Sequence, residues 1–392
     1  MSKQTNKEDI NKKLEETIDS YWDDKKKDKN PDFDGFREEE IKPAPKEKKP
    51  FNIKKLLLII LIIVVAFVAA IVITILAMEH IGKKDLLNSN SANTEITGAD
   101  GAELENDGKI VVYNGKKYVY NESNISMLFM GVDREEFNEG STYQEGGQAD
   151  SLFLMVIDTS TGESKMVPIS RYTMVPIDEY HEDGSYWRQN EIQVLLAYTY
   201  GDGREKSCEN TTTAISRLLY GMPISGYVAI DLSGIGVLND AIGGVTVEVM
   251  EDLTEADSEL YLGNTVTLMG QQAETYVRSR KSEGTDLEVD NNAPRVERQV
   301  QYLNAFLSQT LSQMKTSPTL PLKLYNLAED YTITDVSASE TLYLMTTMAS
   351  GGLESEVVTI PSTAKRGEYT EVYVDEDALY EVILDVFYTE VE

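Results

Sequence analysis

Residues 276–280 read Tyr276-Val277-Arg278-Ser279-Arg280 and residues 294–299 read Pro294-Arg295-Val296-Glu297-Arg298-Gln299, with an acidic, polar loop between them. The 392-residue chain is formally at −31, and only ten of its arginines lie beyond residue 79. Four of those ten fall in this stretch. Arg278 and Arg280 alternate, so an extended segment would point both to one face. Arg295, Arg298 and Gln299 stand at i, i+3 and i+4, so on a helix they share a face. Pro294 suits the first turn of such a helix, with Asn292 or Ala293 as its cap. Cations in a first helical turn oppose the dipole by about 0.3–1 kcal/mol each, and a bound anion would reverse that penalty. The stretch is either a solvated basic face or a phosphate or pyrophosphate cradle built of guanidinium forks and backbone N–H groups.

Upstream, Leu56 to Met78 is an unbroken run of 23 residues in which Thr74 is the only polar member. At about 1.5 Å per residue it crosses a bilayer as one transmembrane helix. Lys42, Lys46, Lys48, Lys49, Lys54 and Lys55 precede it, against only Lys83 and Lys84 after it. The positive-inside rule therefore puts residues 1–55 in the cytoplasm, as a charged, disordered tail, and the main domain outside the cell. That tail holds 15 of the 36 basic and 14 of the 67 acidic residues, so the acidic excess falls on the external part. Nucleic acid and anionic lipid headgroups are poor partners for such a surface. Cys208 is the only cysteine, so no intramolecular disulfide can form, which points to a bacterial envelope.

Residues 79–108, rich in Ser, Asn, Thr, Gly and acids, read as an extracellular stalk, and residues 109–392 as one domain. Asn114-Gly115 between two short β-prone runs predicts a hairpin. Apolar runs at 125–130, 152–157 and 165–169 predict buried strands, followed by shorter strands at 227–230, 245–249 and 357–360. Helices are expected at 191–200, 211–220, 232–241 (stopped by Gly243-Gly244), 268–276, 294–314, 322–329, 338–349 and 375–387. Strands and helices alternate throughout, so the fold class is α/β.

The only histidines are His80 and His181, which leaves little for a Ser-His-Asp triad or a histidine-rich zinc site. No P-loop and no glycine-rich dinucleotide fingerprint occurs. What remains is carboxylates and guanidiniums. Asp133 and Asp150 fall at the ends of buried strands and would suit Mg²⁺, which takes one or two carboxylates plus substrate phosphates. Equally, they could be turn residues at strand ends.

From about residue 125 to 310 the order of motifs resembles the LytR-CpsA-Psr (LCP) family of wall-glycopolymer ligases. The pieces are Gly131-Val132-Asp133, Ala149-Asp150-Ser151, Pro168-Ile169-Ser170-Arg171-Tyr172-Thr173, Asn239-Asp240-Ala241-Ile242-Gly243-Gly244-Val245, and the two arginine segments. The resemblance implies a mixed sheet between helices, a long apolar pocket for a polyprenyl chain and a Mg²⁺ ion held by Asp133 and Asp150. It also implies a phosphotransferase that moves a glycopolymer from a polyprenyl-pyrophosphate carrier onto peptidoglycan. Asp133, Asp150 and Arg171 would be catalytic, with Arg171, Arg278, Arg280, Arg295, Arg298 and Gln299 on the pyrophosphate. Four positions depart from the family pattern. Gln148 replaces an Arg, Tyr172 and Asn292 each replace an Asp, and Gln193 to Tyr198 replaces a segment opened by Lys. These departures leave two rivals open, a non-catalytic polyprenyl-phosphate-binding envelope regulator and a polyprenyl-pyrophosphate hydrolase.

Overall fold

The computed structural model describes residues 53–89, 94–137, 143–279 and 293–391; Arg280, Asn292 and the tail before Ile53 lie outside them. A six-stranded mixed sheet forms the centre. Its strands are β1 (Asn124–Val132), β2 (Ala149–Asp158), β3 (Ser164–Ile169), β4 (Gly226–Ile230), β5 (Thr332–Thr334) and β6 (Glu356–Val357), in the order β5-β4-β1-β2-β3-β6. β1, β2 and β3 run antiparallel in succession, whereas β4 lies parallel to β1 and β6 parallel to β3.

The described helices are α1 (Ile53–Leu87), α2 (Glu205–Leu218), α3 (Leu232–Ala241), α4 (Gln271–Arg278), α5 (Ala293–Met314), α6 (Leu320–Ala328), α7 (Ala338–Gly351) and α8 (Glu376–Phe387), besides the short Leu195–Thr199. The central strands are apolar on both faces because both are covered. Leu128, Met130, Leu152, Leu154 and Val156 join one core with Ile215 of α2 and Ile383 and Phe387 of α8. Met127, Phe153, Met155 and Ile157 join the other with Leu307 and Leu311 of α5, Leu324 of α6 and Met348 of α7. The period of two thus sorts adjacent residues into separate cores.

The Asn-Gly hairpin forms as expected, with Asn114 at φ 49° and Gly115 at φ 75°, the paired positive angles of a type I′ turn. Its second strand, Lys116–Tyr120, also pairs with Tyr388–Val391 near the C-terminus. The helix expected at 191–200 is corrected. Tyr186–Gln193 is a strand paired with Met174–Tyr180, and only Leu195–Thr199 is helical. Tyr186 to Gln193 has no apolar alternation of its own; its partner, with Val175, Ile177 and a buried Glu179, sets its conformation. A second unforeseen hairpin joins Ser362–Arg366 to Thr370–Val374.

The stalk expected at 79–108 is also corrected for its described residues. Leu86 at the end of α1 is 1% exposed, within the same core as Met127 and Phe153. Ser89 Oγ donates to the Ser225 carbonyl at 2.6 Å, and Thr94 and Ser216 hydroxyls meet at 2.5 Å. Thr97 N donates to the Tyr220 carbonyl, and Glu103–Glu105 pairs with Ile110–Tyr113. Polar composition suggested a spacer; these side chains and amides instead satisfy backbone groups of the domain. Val65–Leu87 is long and apolar enough to cross a membrane.

Gly82 marks how closely α1 lies against the domain, because a Cβ there would stand 2.3 Å from the Ser339 carbonyl oxygen. Backbone cannot yield as a side chain can. Gly82→Val is expected to cost about 1–3 kcal/mol, read as a lower Tm in thermal unfolding of the solubilised full chain. Gly352→Ala, where nothing lies within 4 Å, should leave Tm unchanged.

Candidate functional site

The antiparallel register brings three motifs to one end of the sheet. β1 ends at Val132 and β2 begins at Ala149, paired directly after a bulge at Gly131/Val132, so Asp133 and Asp150 flank the same edge. Asp133 N donates to the Gln148 carbonyl at 3.1 Å. β3 pairs Ile169 with Leu152, so the chain leaving it carries Arg171 back beside Asp150. Arg171 Nη1 lies 2.6 Å from Asp150 Oδ2. Burial is the largest influence and disfavours the Arg171 charge, but the Asp150 carboxylate and the Tyr172 hydroxyl together outweigh it and raise the pKa. Its Nη2 donates to the Tyr172 hydroxyl, and the guanidinium lies over that ring at 4.5 Å.

Two helix ends complete the site. The Asn239 to Val245 motif works as a clamp. Asn239 Nδ2 donates to the Leu268 carbonyl and Asp240 Oδ1 accepts from Gly270 N, tying the end of α3 to the start of α4. Gly243 and Gly244, at φ 86° and 88°, stop α3 as the sequence predicts. α4 then delivers Arg278, which is half-exposed and bridges Glu274 at 2.7 Å and Asp133 at 3.4 Å. From α5, Arg295 Nη2 donates to the Asp150 carbonyl at 3.3 Å, with Nη1 3.9 Å from Asp150 Oδ2. Gln299 Nε2 donates to the Val277 carbonyl at 3.1 Å, while its buried Oε1 has no hydrogen-bond partner.

These groups rim an apolar cavity of 690 Å³ lying between the second sheet face and the helices. Phe129, Phe153, Met155 and Val228 floor it from the strands. Ile235 of α3, Leu303 and Phe306 of α5, Tyr325 of α6 and Leu344 and Met348 of α7 wall it. At one end stand Asp133, Asp150, Arg278, Arg295 and Gln299. An apolar chamber with a few convergent polar groups is the usual form of a ligand site.

The structure spreads the expected site residues over two roles. Arg298 shares the helix α5 but does not line the cavity: it is 1% exposed, and its Nε meets Glu251 at 2.7 Å. Its Nη1 and Nη2 donate to the carbonyls of Tyr276 and Ser279 at the end of α4. Burial lowers the Arg298 pKa, with Glu251 opposing. Buried off the cavity and charge-paired with Glu251, it is out of a pyrophosphate's reach, so Arg298 is a positioning residue and not the expected ligand. Arg171 also stays off the cavity wall, behind Asp150. Arg280, the remaining expected ligand, falls outside the described residues. Sequence reasoning missed Arg204 and Glu205, which join the lining at the start of α2, and Glu251, the counter-charge of Arg298. Arg204 could have been found by its rarity, as one of ten arginines in the acidic part; nothing local marks Glu251.

Comparison with known proteins agrees with this architecture. The chain is 25% identical over 194 residues to the polyisoprenyl-teichoic acid–peptidoglycan teichoic acid transferase TagV of Bacillus subtilis, 48% of this chain and 44% of that one. It is 26% identical over 186 residues to a TagU of the same description from Halalkalibacterium halodurans, 47% and 53% of the two chains. The matches thus span about half the length of these relatives. Among solved structures, that of B. subtilis TagV superposes with a TM-score of 0.52 at 22% identity, over 67% of this chain and 96% of the other. That of TagT bound to LI-WTA gives 0.50 at 19%, over 67% and 89%. At such identities these two likenesses speak to the fold. The LytR_cpsA_psr family model matches residues 86–383, a span that takes in the sheet, the cavity and its charged rim, and the chain belongs to that family.

Proposed function

We propose that this protein is a membrane-anchored phosphotransferase that moves a glycopolymer from a polyprenyl-pyrophosphate carrier onto peptidoglycan during cell-wall assembly. The observation that carries this reading is the apolar cavity of 690 Å³ ending at Arg278, Arg295 and Gln299. A polyprenyl chain asks for an apolar chamber, and its pyrophosphate for guanidiniums at the chamber's end. The lysine bias around Leu56 to Met78 supports a cytoplasmic N-terminus and an external domain.

In this reaction an acceptor hydroxyl forms a new bond to the glycan-bearing phosphorus. The bond to the bridging oxygen breaks, polyprenyl phosphate leaves, and the hydroxyl proton passes to a carboxylate at the mouth. Such transfer asks mainly for positioning and charge compensation. Arg278, half-exposed, would take the outer phosphate, and Arg295, deeper, the lipid-side phosphate. Gln299 would hold the first isoprene–phosphate junction. Arg171 orients Asp150 through their 2.6 Å pair.

The donor set fits Mg²⁺. Asp150 Oδ1 is buried with no hydrogen-bond partner, a hard oxygen with unused lone pairs, and Asp133 stands half-exposed at the rim. Among the described residues no three His, Cys, Asp or Glu side chains cluster, so the ion would lean on two carboxylates and phosphate oxygens. Bound there, it would neutralise developing phosphate charge.

One observation favours the regulator reading. Arg171 is held from both sides, by Asp150 and by the Tyr172 hydroxyl that stands where the family pattern has an Asp. Incubating the full chain with a polyprenyl-pyrophosphate glycan and peptidoglycan decides between them, with and without EDTA. Transfer that stops on chelation is expected; lipid binding without turnover would support the regulator, and glycan phosphate released to water the hydrolase.

Arg278→Ala should weaken polyprenyl-pyrophosphate binding at least tenfold while leaving Tm nearly unchanged, because the side chain is half-exposed. Arg298→Ala should do the reverse on stability, losing about 3 kcal/mol or more because Glu251 is left with no counter-charge. Thermal unfolding alongside lipid-binding titration separates the two. Leu303→Trp, which fills the chamber without touching the charged rim, should abolish binding of long-chain carriers and spare that of inorganic pyrophosphate.

A further inference from the structure

The hairpin formed by Met174–Tyr180 and Tyr186–Gln193 leaves the site directly, three residues after Arg171. It displays aromatic rings to solvent, with Tyr186 58% and Trp187 49% exposed. These rings are placed, not loose. Tyr180 sits between Tyr143 and Tyr186, with centroids 6.2 and 5.9 Å away. His181 stacks near Trp187 at 5.5 Å, and the Arg188 guanidinium lies 4.0 Å from the same ring. Beneath them, buried Glu179 accepts from Arg188 at 2.6 Å and Asn190 at 3.1 Å, fixing the strand pair.

This array is continuous with the cavity mouth. Tyr143 belongs to the connection between Asp133 and Asp150, and its neighbour Gln144 donates to the Tyr180 carbonyl at 2.8 Å. Lys206, whose ammonium lies 5.5 Å from the Tyr180 ring, directly follows Arg204 and Glu205 of the lining. Leaving a Trp and a Tyr in water forfeits burial at about 25 cal/mol per Å². Such exposure marks a surface that something covers.

We propose that the hairpin is a platform for the glycan strand of the acceptor, a chain of uncharged N-acetylated hexosamines, running from the mouth across Tyr180, Tyr186 and Trp187. This rests on the transferase reading above. Pyranose rings present C–H edges of positive character, which meet the negative faces of aromatic rings. A polyanionic polymer is a poor occupant, because the chain is at −31 and Asp178, Glu179, Glu182 and Asp183 lie on or beside the hairpin. Lys206, Arg188 and Arg217 offset them only in part: Arg188 and Arg217 are engaged by Glu179 and Asp178.

Only two tryptophans occur, Trp22 and Trp187, so Trp22→Phe leaves Trp187 as the sole reporter. The full chain carrying Trp22→Phe, in a detergent without a sugar headgroup, is titrated with a short β-1,4-linked N-acetylglucosamine oligomer while indole emission is followed. A saturable change is expected, weakened at least tenfold by Tyr186→Ala and unaltered by Tyr261→Ala, at an exposed tyrosine outside the hairpin and the cavity lining. No change up to millimolar oligomer, a change indifferent to Tyr186→Ala, or a response to a polyol-phosphate polymer in its place would overturn the platform. Because this titration needs neither lipid nor turnover, it can succeed when the transfer assay fails, which would then count against the transferase reading alone.

Discussion

The buried guanidinium of Arg298 is the interaction on which the mouth of the cavity depends. A charge 1% exposed is costly unless paired and hydrogen-bonded; here Nη1 and Nη2 donate to carbonyls and Nε lies 2.7 Å from the Glu251 carboxylate. Two of them close the last carbonyls of α4, where the helix dipole favours a cation. The third meets Glu251. With Gln299 on the Val277 carbonyl beside it, this side chain lets α5 grip the end of α4, and the grip fixes where Arg278 leaves one helix and where Arg295 and Gln299 leave the other. An arginine is needed because a lysine's single point charge could not reach three partners in a planar fork.

The second constraint is an imbalance between the two sheet faces. Residues alternating along β1 and β2 are equally apolar on both, yet one face is filled by α2 and α8 while the other retains 690 Å³. Protein interiors close such spaces when they can, since unfilled apolar volume costs stability. Four helices, α3, α5, α6 and α7, wall this space over the strands, and an apolar guest in it would restore the lost contacts.

Much of this was legible in the sequence, for identifiable reasons. Long apolar strands, the Asn114-Gly115 turn and the Gly243-Gly244 helix stop are local signals, and each formed as read. Asp133 and Asp150 could be paired because strand ends gather charged groups. What escaped was set by partners distant in sequence. Tyr186 to Gln193 became a strand through Met174 to Tyr180, and residues 94–108 were held by Tyr220 and Ser216. The helix spacing of Arg295, Arg298 and Gln299 gave a shared face correctly, but a face some 100° wide spans both a cavity wall and a helix–helix groove. Only packing could say that Arg298 belongs to the groove.

The corrected stalk changes the physical picture of substrate delivery. A flexible spacer of thirty residues would let the domain wander, diluting the mouth relative to any lipid in a bilayer that α1 crossed. Instead α1 ends in the domain's own core at Leu86, and Gly82 lies against the Ser339 carbonyl at the first turn of α7. The same helix offers Thr341, Leu344, Met345 and Met348 to the cavity. One element therefore touches the end of α1 on one side and the apolar chamber on the other. If α1 crosses a bilayer and the chamber takes a polyprenyl chain, that chain has little water to cross on its way in, and its exposed apolar length, which is what would oppose transfer, stays short.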